Sequence, residues 1–225
     1  MKAAAKPKPK RMPAPVDRTT LAEVFRRFHA LNPEPKGELE HINPFTLLVA
    51  VVLSAQSTDA GVNKATRRLF AVADTPQKML ALGEDGLREQ IKTLNFFNTK
   101  ARNVIALSRR LVDEFGGEVP ADVRVLETLP GVGRKTASVV VNMAFGLPRI
   151  AVDTHIFRVA NRIPLVTAKT PLDTQEALER IVPEEYRRHA HHWLILHGRY
   201  ICKARVPECG RCPIYDLCRF PEKTA

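Results

Sequence analysis

A lysine stands in the first turn of a predicted helix, directly after a glycine-containing turn. The stretch 129–140 reads LPGVGRKTASVV, in which the turn contains Gly131 and Gly133 and the helix carries Lys135 and Thr136. Glycine permits a close approach of the backbone to a ligand, and the N–H groups at a helix start attract anions such as phosphate. The helix dipole disfavours a cation there, which favours the neutral, nucleophilic amine of Lys135. The stretch therefore predicts phosphate binding next to a nucleophile.

Two other interpretations of this stretch need to be considered. In the first, PGVG is only a turn before a helix, and Lys135 is a solvated surface residue. The second is a nucleotide-binding P-loop, which requires a glycine directly before the lysine and a strand in front of the loop. Arg134 precedes the lysine here, and the preceding run 122–129 has apolar residues at helical spacing. We therefore reject the P-loop.

A second set of residues with possible chemistry lies near the end of the chain. Its four cysteines follow the pattern C-x6-C-x2-C-x5-C, at Cys202, Cys209, Cys212 and Cys218. Four thiolates suit either a structural zinc ion or a [4Fe-4S] cluster, and the spacing alone leaves both open. Two disulfides are disfavoured because no secretory signal is visible.

Several histidines share one predicted helix upstream of the cysteines and suggest a metal site. No matching set of ligands appears elsewhere in the sequence, so packing or phosphate contact is the favoured interpretation. These residues are His189, His191, His192 and His197.

The charge balance points to an anionic partner. The chain has 35 Lys and Arg against 24 Asp and Glu, a formal net charge of +11. Nucleic acid is the commonest such partner, although a ribosome or an anionic membrane surface fits charge alone equally well. No apolar run is long enough to cross a membrane. We interpret residues 1–15, which contain five of the basic residues and four prolines, as a disordered basic arm.

Apolar residues recur at helical spacing through most of the chain, and no segment shows convincing strand alternation. Asn43 and Pro44 form a helix-start signal before an almost wholly apolar run. The β-branched residues in that run also fit a strand, but the start signal and the length favour a helix. The predicted class is all-α, with helices at Asp17–Leu31, Phe45–Leu53, Ala60–Phe70, Pro76–Leu82, Glu84–Leu94, from after Asn98 to Phe115, and at Asp122–Thr128, Gly133–Phe145, Asp153–Asn161, Thr174–Ile181 and Glu184–Tyr200.

Two motifs together resemble a known family. LPGVGRKTA, followed by AVDTHIFRVANR at 151–162, is similar to the helix-hairpin-helix DNA glycosylases, most closely the endonuclease III family, and the resemblance runs from about Leu21 to Phe220. It implies two helical lobes with an active cleft between them, across which Lys135 and Asp153 face each other. A six-helix barrel with the hairpin would comprise residues 37–147. A cluster domain would comprise residues 16–36 and 148–225.

The resemblance implies roles for both cleft residues. Lys135 would attack C1′ of a damaged nucleotide, displace the base and form a Schiff base, after which β-elimination would break the strand. The carboxylate of Asp153 would stabilise the positive charge that develops at C1′ or help to move protons. Because Asp153 directly precedes a predicted helix, an N-cap role is the alternative, and both roles can hold together.

The resemblance also implies the cofactor and the DNA contacts. The four cysteines would hold a [4Fe-4S] cluster with a structural and DNA-binding role. Gln56 would enter the space left by an extruded base, and the loop around Phe96 would wedge the stack open; Phe96 and Phe97 are alternatively core aromatics. Phosphate or backbone contacts would come from the hairpin and the cysteine loop, at Gly131, Gly133, Arg134, Thr136, Lys203, Arg205 and Arg211.

Four positions depart from the family pattern. Ser138 stands where relatives commonly have asparagine, and Val206 is apolar where a basic residue often lies. Asn95-Phe96 replaces a usual Gly-Leu, which affects the wedge and with it the preference for particular damage.

The resulting hypothesis is a base-excision-repair DNA glycosylase with AP-lyase activity. Its substrate would be double-stranded DNA that contains oxidised pyrimidines, such as thymine glycol, or abasic sites. The alternatives are an adenine or thymine mismatch glycosylase of the same superfamily and a non-catalytic helix-hairpin-helix DNA-binding protein. Lys135 argues against the adenine enzyme, and Lys135 with Asp153 argues against a simple binder. We expect a monomer in the cytoplasm, associated with the nucleoid.

Overall fold

A computed structural model describes residues 14–224, so nearly all of the predicted basic arm at 1–15 lies outside the described residues. The described chain is helical throughout and contains no strand, which confirms the predicted class. Its ten α-helices are α1 (Arg18–Leu31), α2 (Pro44–Ser54), α3 (Asp59–Val72), α4 (Pro76–Ile91), α5 (Phe97–Phe115), α6 (Val123–Glu127), α7 (Arg134–Phe145), α8 (Thr154–Arg162), α9 (Pro171–Ile181) and α10 (Glu184–Tyr200).

Most helix starts follow directly from the sequence, and α2 illustrates why. The Asn43 side chain accepts a hydrogen bond from the Thr46 backbone N–H, and the Thr46 hydroxyl accepts one from the Asn43 N–H. Pro44 supplies a fixed φ at the first helical position. All residues from Phe45 to Leu53 are buried, so α2 is the central helix that the sequence predicts.

Gly83 has non-helical backbone angles (φ 74°, ψ 170°), so the range of α4 consists of two helices that meet at Gly83, as the sequence predicts. The second of them ends at Ile91 rather than at Leu94. Helix α9 begins at Pro171 rather than at Thr174, because Thr170 accepts a hydrogen bond from the Asp173 N–H and thereby caps the helix.

The described chain packs as two compact units. One consists of residues 34–151 and 187–192 and contains α2 to α7, which share a single hydrophobic core. The other consists of residues 14–33, 152–186 and 193–224 and contains α1, α8, α9 and most of α10. The domain boundaries that the resemblance implies, at 37 and 147, remain a prediction.

Candidate active site and cluster site

The turn between α6 and α7 has the open geometry expected of a phosphate-binding hairpin. Gly131 adopts φ 77°, and a Cβ at this position would lie 2.9 Å from the Asn103 side chain, so no larger residue fits without strain. Gly133 is the N-cap of α7, and no side chain caps this helix start. A Cβ on Gly133 would meet no atom within 4 Å. The first N–H groups of α7 are therefore accessible to an anion.

Lys135 occupies the second position of α7 and is exposed to solvent. Its neighbour Arg134 forms an ion pair of 3.4 Å with Glu127, which lies at the end of α6, and Thr136 is half-buried. The segment before the turn is the short helix α6 rather than a strand, which supports the rejection of a P-loop. The hairpin thus presents an amine in the first turn of a helix whose start is open.

Asp153 is the N-cap of α8. Its Oδ1 accepts a hydrogen bond of 2.9 Å from the backbone N–H of Ile156, and the residue is partly exposed. The alternative interpretation of Asp153 as a helix cap is therefore correct, and a partly exposed carboxylate remains available for chemistry as well. Lys135 and Asp153 belong to different compact units, and the predicted cleft between them stays a prediction.

The predicted wedge residues lie on loops that the structure brings together. Gln56 (φ 54°) and Phe96 (φ 58°) both adopt left-handed backbone conformations. The Asn95 side chain donates a hydrogen bond of 2.7 Å to the backbone oxygen of Gln56. The Phe96 side chain is 62% exposed, whereas Phe97 packs against the core, so Phe97 is the core aromatic of the pair.

Sequence reasoning missed two residues of this region, Asn95 as a hydrogen-bond donor and Lys100. Lys100 is buried, and its Nζ donates a hydrogen bond of 2.9 Å to the hydroxyl of Ser57. The sequence did indicate that Lys100 faces the core, because Lys100 lies four residues before Val104 on the apolar face of α5. The partner of Asn95 had no local signal, since Gln56 is 39 residues away.

The four predicted cysteine ligands line one cavity in their unit. Other walls of this cavity are formed by His197, Ile201, Pro207, Tyr215 and Phe220. Burial raises the pKa of the Cys212 thiol to about 11, and the neighbouring cysteines act in the same direction. A metal group that binds here has to displace the protons of these thiols, because cysteine ligates as the thiolate.

The four cysteines around this shared cavity suit a four-iron cluster, which binds one thiolate at each iron. When bound, the cluster supplies a cross-link between four points of the 202–218 segment.

Arg162 forms several hydrogen bonds to the segment that carries the cysteines. The guanidinium of Arg162 donates hydrogen bonds to the backbone oxygens of Lys203 at 2.6 Å and Ala204 at 3.0 Å, and it lies 3.7 Å from the sulfur of Cys202. It also stacks over the Phe220 ring at 4.9 Å. Groups of this kind orient the ligands of a metal site.

The basic residues predicted to contact phosphates from the cysteine loop differ in whether they form an ion pair within the protein. Lys203 and Arg211 both form ion pairs with Glu208, and Arg211 also donates to the Tyr200 carbonyl. Arg205 is exposed and pairs with no residue of the described chain. In an encounter with DNA, Arg205 is therefore the residue of this loop whose charge is fully available.

Three histidines of α10, His191, His192 and His197, are buried. His197 packs against Phe28 with ring centroids 5.2 Å apart, and His191 contacts His192 at the same distance. No helix of the described chain is both long and apolar enough to cross a membrane.

Comparisons with known proteins agree with these features. Residues 49–184 match the model of the HhH-GPD superfamily base excision DNA repair proteins, and residues 202–218 match the iron-sulfur binding domain of endonuclease III. Endonuclease III of Treponema pallidum is 57% identical, with 90% of this chain and 96% of that protein covered. Endonuclease III of Escherichia coli K12 is 54% identical, with 89% and 95% covered.

Solved structures give the same result. A trapped endonuclease III–DNA covalent intermediate superposes with a TM-score of 0.84 at 44% identity, covering 91% of this chain and 96% of that one. A thermostable thymine-DNA glycosylase superposes with a TM-score of 0.80 at 24% identity, covering 90% and 95%, which shows a shared fold alone. The chain therefore belongs to the endonuclease III family of base-excision-repair DNA glycosylases and AP lyases, and it carries the iron–sulfur cluster domain of that family.

Proposed function

We propose that Lys135 is the nucleophile of this enzyme, that Asp153 assists it, and that oxidised pyrimidines in duplex DNA are the substrate. The observation that carries the proposal is an exposed lysine in the first turn of α7, next to a glycine turn with an open helix start. A phosphate bound at that start would hold the damaged strand beside the lysine amine. The high effective concentration of the amine at the sugar then promotes attack.

The proposed reaction proceeds in balanced steps. The neutral amine of Lys135 bonds to C1′ as the bond from C1′ to the base breaks, and the base departs with that electron pair and gains a proton. After the attacking nitrogen has lost a proton, its lone pair expels O4′ from C1′, O4′ takes up a proton, and the opened sugar carries a protonated Schiff base at C1′. Loss of a C2′ proton then expels the 3′ phosphate oxygen, which breaks the strand. Hydrolysis of the Schiff base releases the lysine and the unsaturated sugar.

Asp153 is proposed to act on the charge and the protons of these steps. A carboxylate stabilises the positive charge that grows at C1′ as the base leaves, and it can accept the proton lost by the attacking amine. The hydrogen bond from the Ile156 N–H fixes one carboxylate oxygen, which limits the rotation of the side chain. A positioned carboxylate loses less entropy in the transition state than a mobile one.

Gln56 and Phe96 are proposed to support extrusion of the damaged base. Phe96 is a large exposed aromatic at a turn, which suits insertion between base steps. Gln56 has the hydrogen-bonding groups needed to occupy the space that the base leaves. The glycine turn, Arg134, Thr136 and Arg205 would hold the phosphates on either side.

The four cysteines, Cys202, Cys209, Cys212 and Cys218, are proposed as the cluster ligands. The protein is further proposed to act as a monomer at the nucleoid. Analytical ultracentrifugation of the cluster-loaded protein, with and without duplex DNA, tests the monomer. A mass corresponding to one chain per duplex is expected, and a dimer mass would contradict this.

Borohydride trapping tests the nucleophile and the lesion class together. Wild type, Lys135→Ala and Lys135→Arg are incubated with a duplex that contains one thymine glycol, in the presence of borohydride. Only wild type should give a covalent adduct, since arginine keeps the charge but supplies no amine for a Schiff base. Lys169→Ala, which removes an exposed lysine outside the hairpin, is the matched control and should trap as wild type does.

The other outcomes discriminate between the alternatives. Base release by wild type without an adduct would indicate a monofunctional glycosylase, and mismatched duplexes would be tried next. An adduct with Lys135→Ala would refute the assignment of the nucleophile. Trapping on a preformed abasic site but not on thymine glycol would support the lysine and reject the lesion class.

A further inference from the structure

Two loops that carry the proposed wedge residues are joined by one side chain. The Nδ2 of Asn95 donates a hydrogen bond of 2.7 Å to the backbone oxygen of Gln56, across 39 residues of sequence. Asn95 directly precedes Phe96, the exposed aromatic at the start of α5. The amide thus connects the residue proposed to fill the space of the base with the residue proposed to wedge the stack.

Both joined loops have unusual backbones. In residues 14–224, Gln56 and Phe96 are the two residues other than glycine that have a positive φ, at 54° and 58°. This region is sterically disfavoured for residues that have a Cβ. Such conformations persist where surrounding contacts hold them, and they cluster at functional sites. The hydrogen bond between Asn95 and Gln56 is a contact of this kind.

A second hydrogen bond joins the same two segments at the next residue. The Nζ of Lys100, in the first turns of α5, donates to the Ser57 hydroxyl at 2.9 Å. Burial lowers the pKa of Lys100, but the side chain still reaches the loop from within the core. Gln56 and Ser57 are therefore each held from the α5 side, which leaves the loop little freedom to move independently of Phe96.

We propose that Asn95 is a positioning residue that holds the Gln56 side chain in register with Phe96, so that the two enter the duplex together. This inference rests on the proposed roles of Gln56 and Phe96. Insertion of two coupled groups requires one conformational adjustment instead of two, which reduces the entropy lost when the base is extruded.

A double-mutant cycle tests the inference. The variants are Asn95→Ala, Gln56→Ala and the double variant, and the measurement is the single-turnover rate of base release from a duplex with one thymine glycol. Asn95→Ala should slow release by about tenfold, the scale of one positioned hydrogen bond. If Asn95 acts through the Gln56 side chain, the double variant should be no slower than Gln56→Ala alone.

Asn98→Ala is the matched control, because Asn98 is an exposed asparagine three residues further along and has no hydrogen bond to the Gln56 loop. It should release the base at the wild-type rate. The thermal unfolding midpoint of every variant is measured in parallel. A purely structural role for Asn95 would lower stability equally in both backgrounds and slow base release by equal factors.

Strand cleavage at a preformed abasic site separates this inference from the proposed function. Such a site has no base to extrude, so Asn95→Ala should retain borohydride trapping there at close to the wild-type yield. Absence of trapping with wild type would contradict the proposed function itself. With wild-type trapping intact, multiplicative effects of the two substitutions, or an unchanged rate in Asn95→Ala, would overturn the role of Asn95 alone.

Discussion

The Oδ1 of Asp153 accepts a hydrogen bond of 2.9 Å from the backbone N–H of Ile156, so the proposed catalytic carboxylate is also the N-cap of α8. One residue therefore has two roles that most substitutions would remove together. Asparagine offers a way to separate them, because its amide oxygen caps a helix about as well as a carboxylate does.

We predict that Asp153→Asn keeps the stability of the protein and loses activity. Its free energy of unfolding should change by less than about 0.5 kcal/mol, whereas Asp153→Ala should lose about 1 kcal/mol with the cap. Both variants should slow single-turnover base release at least about 100-fold. Urea unfolding and quenched base-release assays make the comparison. A fast Asp153→Asn enzyme would limit this residue to the structural role.

The two hairpin glycines should respond differently to alanine. At Gly131, alanine meets both the positive φ of 77° and the Asn103 side chain at 2.9 Å, so the substitution should destabilise the protein by at least about 1 kcal/mol. At Gly133, which has φ −95° and open space around it, alanine should leave stability nearly unchanged.

DNA affinity should fall in both glycine variants, since a Cβ at either position hinders the approach of a phosphate to the backbone. Thermal unfolding and titration with a duplex that contains an abasic-site analogue provide the two measurements. If Gly133→Ala binds this duplex as wild type does, the turn is not a phosphate contact and serves only to connect α6 with α7.

Arg162 should increase the resistance of the bound cluster to removal by a chelator. Arg162→Met removes hydrogen bonds to the Lys203 and Ala204 carbonyls and the contact with the Cys202 sulfur, while a side chain of similar length fills the space. We expect loss of about 10-fold or more in resistance to a chelator, the usual scale for groups that orient metal ligands. The decay of visible absorbance in the presence of chelator measures this.

Arg205→Met is the matched control for that experiment, because Arg205 lies on the same loop, is exposed and pairs with no described residue. Its cluster should decay as in wild type, while its affinity for DNA should weaken and depend less steeply on salt. Equal chelator resistance in Arg162→Met and Arg205→Met would show that Arg162 does not support the ligands.

The stability of the protein should fall in mild acid partly because of His192. Burial, followed by the nearby charge of His189, lowers the pKa of His192 from 6.5 to about 4. The unfolded chain therefore takes up a proton at this residue below about pH 6.5, whereas the folded chain does so only near pH 4. Stability present above pH 6.5 is lost as the pH falls through this window, by at most about 3 kcal/mol.

Urea unfolding between pH 4 and pH 7 measures this loss. His197 has the same shift to about pKa 4 through burial, so wild type should show the sum of the two contributions. His192→Gln should have a shallower decline of the free energy of unfolding with acid than wild type. The same slope in both proteins would exclude His192 as a source of the acid sensitivity.

Much of the helical fold is contained in local sequence. Asn43 caps α2, with Pro44 at the first helical position, as these residue types predict, because a cap involves only three or four neighbouring residues. The predicted start of α9, at Thr174, is three residues too late, although Thr170 and Pro171 form the same kind of helix-start signal as Asn43 and Pro44. The lysine of the hairpin and the group of four cysteines can likewise be identified from short sequence motifs.

The tertiary structure decided what depends on residues distant in the chain. Of two adjacent aromatics, Phe97 packs into the core and Phe96 faces solvent, and only packing distinguishes them. Glu208 pairs with both Lys203 and Arg211, so the positive charges of these two predicted phosphate contacts are partly neutralised within the loop.

Long-range hydrogen bonds show the same division. Asn95 reaches Gln56 across 39 residues, and Arg162 reaches Lys203 across 41. The sequence by itself determined the helices, the candidate nucleophile and the cysteine ligand set, because each rests on spacing within one short segment. Hydrogen bonds between distant segments could be identified only from the fold. Many donors in the chain are chemically able to bond to a given acceptor, and the tertiary structure decides which of them lies close enough.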